Sequence, residues 1–428
     1  MAELNSAQPQ LVDPENKPCI NAQPQLQWYS PILMEAVDAV SKVLDDDNLL
    51  IEILLCVDLP TTLVCAALVC KRWLQHASDR EFLCHFRKLH PPRLIGFYIQ
   101  EGLMPTSPRF VLMLPAQHRE RAAVVRRAKF SLESNDDSNL RTHIMDCRNG
   151  RVLTQRLDGT TRGLKVHVPL CPQIGMKNIP PLPIHEPHHD YHCGFSQILS
   201  NEGVNGLSYF HVSMASSYYG KSRVSVYMLK DGVWCMHTSV AANLPPPRMR
   251  INSVLVGSKI YMAAAMSDII ILDLKTSSFS VIQLPQGVDY GQEYGSSDTM
   301  LSRADDYSSV YLINAKGLQL RIWLHKGGTW LLVDTILMLD MFANLRMSGF
   351  SVEDYRSFLR LRQVGDNAEF VFLQMRQCIF YLDIKCRTLC EVHDITKYDG
   401  SSCHINPLMM IWPPTFPANK DNPARNAM

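Results

Sequence analysis

Long apolar runs, an excess of charge of either sign and the common catalytic signatures are all missing from this sequence. Spanning a bilayer takes about 20 consecutive apolar residues, and Asp38, Asp268 and Asp273 interrupt the best candidates. Membrane insertion is therefore not expected. Lys and Arg number 42 against 41 Asp and Glu, for a formal net charge of +1. Affinity built on phosphate neutralisation needs a basic stripe, and the densest basic run, residues 119–129, reads as a solvated face or strand edge. Nucleic acid is not an expected partner. No Gly-rich loop leads into a helix, and neither G-x-S-x-G nor H-E-x-x-H occurs, so phosphate-cradling, nucleophile-elbow and zincin chemistry have no foothold. The 13 cysteines are scattered and odd in number, and nothing near Met1 reads as a secretory signal. Reduced thiols in the cytoplasm or nucleus are the expectation.

What is present falls into unlike segments, and 428 residues suffice for about two to three domains. Residues 1–43 form an N-terminal arm and lead-in, rich in Gln, Pro and Asn and expected to be disordered at first, with a helical turn or two near its end. Residues 44–90 then carry three short amphipathic patterns. Asp45, Asp46 and Asp47 offer an N-cap and favourable charge to a first helix, along which Leu50, Ile53, Leu54 and Val57 recur at helical spacing. Leu59-Pro60 ends it. Thr61 or Thr62 is expected to cap a second helix, with Leu63, Ala66, Ala67, Cys70 and Leu74 as one stripe and Trp73 at its flank. Ser78-Asp79-Arg80-Glu81 reads as a capping box opening a third, whose buried face is Phe82, Phe86 and Leu89. These apolar positions exceed what three such helices bury among themselves, so the module is expected to need a partner.

The same residues resemble the F-box. The match comprises LLIEILL from Leu49 to Leu55, Leu59-Pro60, Leu63, ALVCKRW from Ala67 to Trp73, and Phe82 after a Ser-Asp pair. Asp45-Asp46 stands where a Leu-Pro pair often opens the motif, and Cys56-Val57-Asp58 lengthens the first interhelical segment. The resemblance implies docking on a Skp-type adaptor, which joins F-box proteins to a cullin scaffold and a RING subunit while the rest of the chain selects the protein to be ubiquitinated. By that carry-over Leu50, Ile53, Leu54, Leu59, Pro60, Leu63, Leu68, Val69 and Trp73 are the candidate adaptor-facing anchors. Several of them suit the helices' own core equally well.

After Pro91-Pro92 the pattern turns strand-like. β-Branched and aromatic runs alternate with Gly, Pro, Asn, Asp and Ser clusters through residues 94–415, the pattern of an all-β domain. Residues 144–153 (IMDCRNGRVL) read as a hairpin around an Asn-Gly turn. Residues 258–284, 309–333 and 368–393 share a plan of strand, hydrophobic strand, polar turn and strand; residues 223–240 share all but its first strand, and residues 195–212 are expected to open that blade. Their last strands begin near Trp234, Phe279, Trp330 and Leu389, at successive gaps of 45, 51 and 59 residues. Such periods suit propeller blades, about six over this span. This half resembles the kelch-like, F-box-associated β-propellers of plant F-box proteins, and His90-Pro91-Pro92-Arg93-Leu94-Ile95-Gly96-Phe97 with Asp146-Cys147-Arg148-Asn149-Gly150 is similar to the grass members of that group. No blade carries the double glycine of a clear kelch repeat.

The fold class expected is thus α+β multidomain: a three-helix F-box, then an all-β propeller, then a flexible tail at residues 416–428. The function implied is substrate recognition for a Skp-cullin-F-box ubiquitin ligase, with no catalytic residue, no cofactor and an unknown target protein. The alternative is a small-molecule or metal-binding sensor or enzyme built on the propeller. His185, Glu186, His188, His189, Asp190, His192 and Cys193 are metal-compatible in type, yet no helix fixes their spacing and Pro187 disfavours an i, i+4 pair, and Cys386 and Cys390 have no second pair nearby. Trp234, Trp323, Trp330 and Tyr381 suit stacking platforms less well than blade core. The linkers at residues 185–193 and 289–298 are candidate target-facing loops.

Overall fold

The computed structural model describes residues 40–57, 59–90, 93–101, 107–113, 125–132, 141–158, 161–183, 191–203, 206–217, 222–243, 253–263, 268–288, 298–304, 306, 308–345, 359–395, 403–414 and 416. The chain divides into two compact units, between Leu89 and His90.

The first unit is helical. Residues 40–45 form a helical lead-in, followed by α1 (Asp47–Leu55), α2 (Pro60–Ala67), α3 (Lys71–Ala77) and α4 (Arg80–Leu89). Of the three aspartates, Asp46 is the N-cap of α1, its Oδ1 accepting from the amides of Asn48 at 2.8 Å and Leu49 at 3.2 Å. Neither Thr61 nor Thr62 caps α2. Pro60 is its first residue, with Leu59 as an extended N-cap that makes no side-chain bond; proline has no amide to satisfy and its fixed φ suits a first helical position. The expected stripe from Leu63 to Leu74 is also broken, because residues 68–70 turn and Cys70 is extended. This unit therefore has four described helices after the lead-in, not three. Nor is there a Ser78–Glu81 capping box: α4 starts one residue later than expected, so Asp79 caps it through the amides of Glu81 and Phe82 at 2.8 and 3.0 Å, and Ser78 turns back to Gln75 O. Leu50, Leu54, Leu63, Phe82 and Phe86 are the buried centre of this unit.

The second unit is a closed ring of six sheets. Its first strands are β1 (Leu94–Glu101) and β2 (Arg109–Leu112). Next come β3 (Arg141–Arg148), β4 (Arg151–Asp158), β5 (Thr161–His167) and β6 (Lys177–Ile179), then β7 (Tyr191–Gly203), β8 (Gly206–Ser217), β9 (Ser222–Lys230) and β10 (Val233–Ala242). The fourth sheet is β11 (Val254–Val256), β12 (Lys259–Ala263), β13 (Asp268–Asp273) and β14 (Ser278–Gln283), and the fifth β15 (Thr299–Arg303), β16 (Val310–Lys316), β17 (Gln319–Lys326) and β18 (Thr329–Leu337). A short helix, α5 (Leu339–Asn344), precedes β19 (Leu359–Val364), β20 (Phe370–Met375), β21 (Cys378–Asp383) and β22 (Thr388–Asp394). The last strand, β23 (Cys403–Met409), returns to pair with β1, giving the order β2-β1-β23. Every pairing is antiparallel, and five sheets are up-and-down meanders of four strands.

Contacts run from β23 to β3, β7, β11, β15 and β19 and back to β23. That ring of inner strands makes the fold a six-bladed β-propeller. Each pair of adjacent blades shares one apolar cluster, and the period-2 alternation of a strand divides its side chains between two of them. In β13, Ile270 and Leu272 enter the cluster shared with the third blade, while Ile269 and Ile271 enter the one shared with the fifth. In β20, Phe370 and Phe372 pack on Phe97 and Ile405 of the first blade, and Val371, Leu373 and Met375 on the fifth. The sequence series Trp234, Phe279, Trp330 and Leu389 occupies the second position of β10, β14, β18 and β22. Trp234 Nε1 donates to Pro180 O at 3.0 Å and Trp330 Nε1 to Gln283 O at 2.9 Å, each reaching back to the preceding blade.

Closure is reinforced at the turn between β3 and β4. Asn149 and Gly150 are both left-handed, at φ 49° and 67°, as a two-residue hairpin with right-handed strand twist requires. A Cβ on Gly150 would collide with Ile411. The Asn149 amide both donates to Trp412 O and accepts from Trp412 N, tying the segment after β23 to the second blade. A chain ending at residue 402 lacks β23 and leaves two blade faces exposed; it is expected to lose the cooperative thermal transition of the propeller, measured by circular dichroism. An unchanged midpoint would mean closure does not hold the ring.

Candidate functional site

Two regions offer chemistry to a partner: the surface of the helical unit and the central channel of the propeller. On the helical unit the nine candidate anchors divide. Leu50, Leu54, Leu59, Pro60 and Leu63 are buried. Ile53, Leu68 and Val69 are exposed by 38%, 62% and 65%, and Trp73 is half-buried. Leu49, absent from the sequence set, is 45% exposed one turn before Ile53. Periodicity separates the stripe Leu49/Ile53 from the stripe Leu50/Leu54 but is silent on which faces inward. Leu68 and Val69 are exposed because the chain leaves the α2 helix there, a break the apolar pattern hides.

One polar network ties the helices together. Arg72 of α3 reaches Asp47 at the start of α1, Nε to Oδ1 at 2.8 Å and Nη2 to Oδ1 at 2.6 Å, and donates to the carbonyls of Leu44 and Asp45. His76 Nε2 lies 2.9 Å from the same oxygen. The Arg72 guanidinium, then His76, holds the Asp47 carboxyl below its usual range.

The channel is a cavity of about 490 Å³ lined from all six inner strands. These strands run in one direction, so equivalent positions gather at one end. Arg148 ends β3, Arg303 ends β15, and Asp366 follows β19. In the ring order β3 and β15 stand three steps apart, on opposite walls. Asp366 Oδ2 receives Arg303 Nε at 2.9 Å and Nη2 at 2.8 Å, and Arg148 Nη1 at 3.1 Å. One carboxylate oxygen thus bridges two guanidiniums across the channel. Deeper in, Ser200 Oγ donates to Asp146 Oδ2. Burial pushes the Asp146 carboxyl up, against the opposing pull of Arg148, the Ser200 hydrogen bond and Arg303. Arg362, on β19, donates to Gln374 Oε1 at 2.5 Å. At the other end His143 Nδ1 approaches Gln100 Oε1 at 3.2 Å, and its ring meets His404 edge-on at 6.0 Å.

The remaining sequence candidates are placed differently. Trp234, Trp323, Trp330 and Tyr381 are partly buried and all pack against inter-blade clusters. Cys386 is exposed at the turn between β21 and β22, while Cys390 is half-buried, with its thiol on Tyr381 O and pushed up by burial. Among the described residues no group of His, Cys, Asp and Glu is arranged to hold a metal, and no helix is long and apolar enough to cross a membrane. Residues 184–190 and 289–297 lie outside the described residues, and with them most of both linkers singled out in the sequence; of residues 191–193 only the strand backbone is described. Of the basic run, Arg126, Arg127 and Lys129 are exposed.

Residues 46–85 match the family model of the F-box domain. Residues 143–416 match the family described as F-box protein AT5G49610-like, beta-propeller. No curated protein matches the sequence. Among solved structures, Sqt1 of Saccharomyces cerevisiae aligns at 9% identity with a TM-score of 0.30, over 56% of this chain and 55% of its own length. AztD of Citrobacter koseri aligns at 11% identity with a TM-score of 0.30, over 65% and 75%. The chain spans about half the length of Sqt1.

The Asp146 environment generates a prediction about pH. Its folded pKa lies above the unfolded value, so the protonated form is favoured by folding, and stability falls as pH rises from the ordinary carboxylate range through the raised folded value. Asp146→Asn, which keeps an acceptor for Ser200, is expected to melt higher than wild type at pH 7, with the difference shrinking toward pH 3. Parallel melting curves across that range test it; a variant less stable at pH 7 contradicts the assignment.

Proposed function

Because this chain belongs to the AT5G49610-like F-box proteins, in which an F-box is joined to a β-propeller, we propose that it is the substrate-selecting subunit of a Skp-cullin-F-box ubiquitin ligase. The helical unit docks on the Skp-type adaptor and so on the cullin and RING subunits. The propeller holds the target, and the ubiquitin-transferring chemistry belongs to other subunits.

One observation carries this reading: the helical unit keeps Leu49, Ile53, Leu68 and Val69 in water although its core is already filled by other leucines. Exposed aliphatic side chains in so small a unit stabilise a complex rather than the fold. Leu50, Leu54, Leu59, Pro60 and Leu63 act indirectly, by holding the helices that present the exposed set. Arg72 contributes in the same way, since its bonds to Asp47, Leu44 O and Asp45 O fix α1 against α3. The propeller supplies a rigid ring whose connecting loops are free to vary.

The exposed and buried apolar sets are distinguishable by experiment. Replacing both Leu68 and Val69 by Asp alters solvent-exposed positions and is expected to change folding stability by no more than about 0.5 kcal/mol. Adaptor affinity is expected to fall by about 2 kcal/mol or more, roughly 30-fold. Leu54→Ala is expected to destabilise the helical unit by about 2–5 kcal/mol. Calorimetric titration with purified adaptor, beside thermal melts, separates the effects. Undiminished binding by the folded double variant would place the docking surface elsewhere.

A further inference from the structure

The central channel concentrates positive charge that the composition as a whole does not have. The chain is nearly neutral, yet among the described residues three arginines, Arg148, Arg303 and Arg362, line one cavity with two carboxylates, Asp146 and Asp366. Asp146 is the weaker counter-charge, because burial favours its protonated form. Low-dielectric walls around a charged cleft focus its field and raise the local concentration of counter-ions. The planar guanidinium fork is also the side chain best matched to carboxylate and phosphate oxygens. The volume of about 490 Å³ is within the range of small-ligand sites, roughly 300–1,000 Å³.

Asp366 shows which group this end of the channel accepts. Its carboxylate is held between guanidiniums from opposite walls, and the turn carrying it is strained: Asn367 and Ala368 are both left-handed, at φ 56° and 51°, with no glycine to relieve them. Ser302 pins that turn, its Oγ donating to Gly365 O at 2.6 Å and accepting from Ala368 N at 3.3 Å. Strained backbone of this kind clusters at ligand clamps.

We propose that the propeller channel is a binding site for a small polyanion, its carboxylate or phosphate oxygens seated between Arg148 and Arg303, and that Asp366 is an internal occupant which such an anion displaces. All of its lining residues belong to the propeller.

The test is calorimetric titration of the full chain with citrate and, separately, with pyrophosphate at low ionic strength. Wild type is expected to bind at least one of them saturably, one per chain; citrate alone identifies a carboxylate ligand and pyrophosphate alone a phosphate ligand. Asp366→Asn keeps both arginines and removes the competing charge, so it is expected to bind at least tenfold tighter. Arg148→Gln is expected to lose tenfold or more. Absence of saturable binding to either anion by both wild type and Asp366→Asn overturns the proposal, as does Asp366→Asn binding no tighter than wild type. Equal binding by folded Arg148→Gln does the same. If Arg148→Gln does not fold, the Asp366→Asn comparison decides alone.

Discussion

A propeller blade presents apolar side chains on both of its faces, and a single neighbour removes only one face from water. Six sheets in a ring solve this only if the ring closes, because an open array leaves two faces exposed. The alternation of β13 and β20 makes the dependence concrete. Their buried side chains are shared between two interfaces, so neither strand belongs to the core of one blade alone. Hydrophobic burial supplies the driving force, at about 25 cal/mol per Å² of apolar surface, and topology decides whether it is collected on both sides. The return of β23 to β1, and the Asn149 bonds to Trp412, are where this chain meets that requirement.

Closure also creates the channel. Once the outer faces are committed to neighbouring blades, the inner strands run beside a void where Ser, Arg, Asp and His residues are interspersed with aliphatic ones. Charges placed there sit in a poorer dielectric than on the surface, so each interacts more strongly with the next. The Arg148–Asp366–Arg303 bridge depends on this geometry. Its members are separated by long stretches of sequence and meet only because β3 and β15 face each other across the ring and the turn after β19 enters between them.

The helical unit is governed by a different balance. It is small and its apolar residues outnumber its interior places, so the fold sorts nearly identical side chains into two populations. Leu50 and Leu54 go inward, and Leu49, Ile53, Leu68 and Val69 stay out. The sorting is done by helix starts and breaks: Asp46 caps α1, Pro60 opens α2, and the turn before Cys70 exposes the pair that an uninterrupted helix would have divided between its faces.

Sequence alone determined whatever depends on local chemistry and period. The helical unit, the strand-rich remainder, the Asn149-Gly150 turn, the recurrence of Trp234, Phe279, Trp330 and Leu389, and a ring of about six blades were legible because turn chemistry and alternation are written in consecutive residues. Helix boundaries were less so: capping competes among neighbouring Asp, Ser and Thr, and one residue of shift changes which side chain reaches the free amides. Tertiary structure decided which of two adjacent apolar stripes is interior, and which charges meet in the channel. Those outcomes depend on what lies across an interface or a ring, and residues distant in sequence become neighbours only after closure has fixed the blades around a common axis.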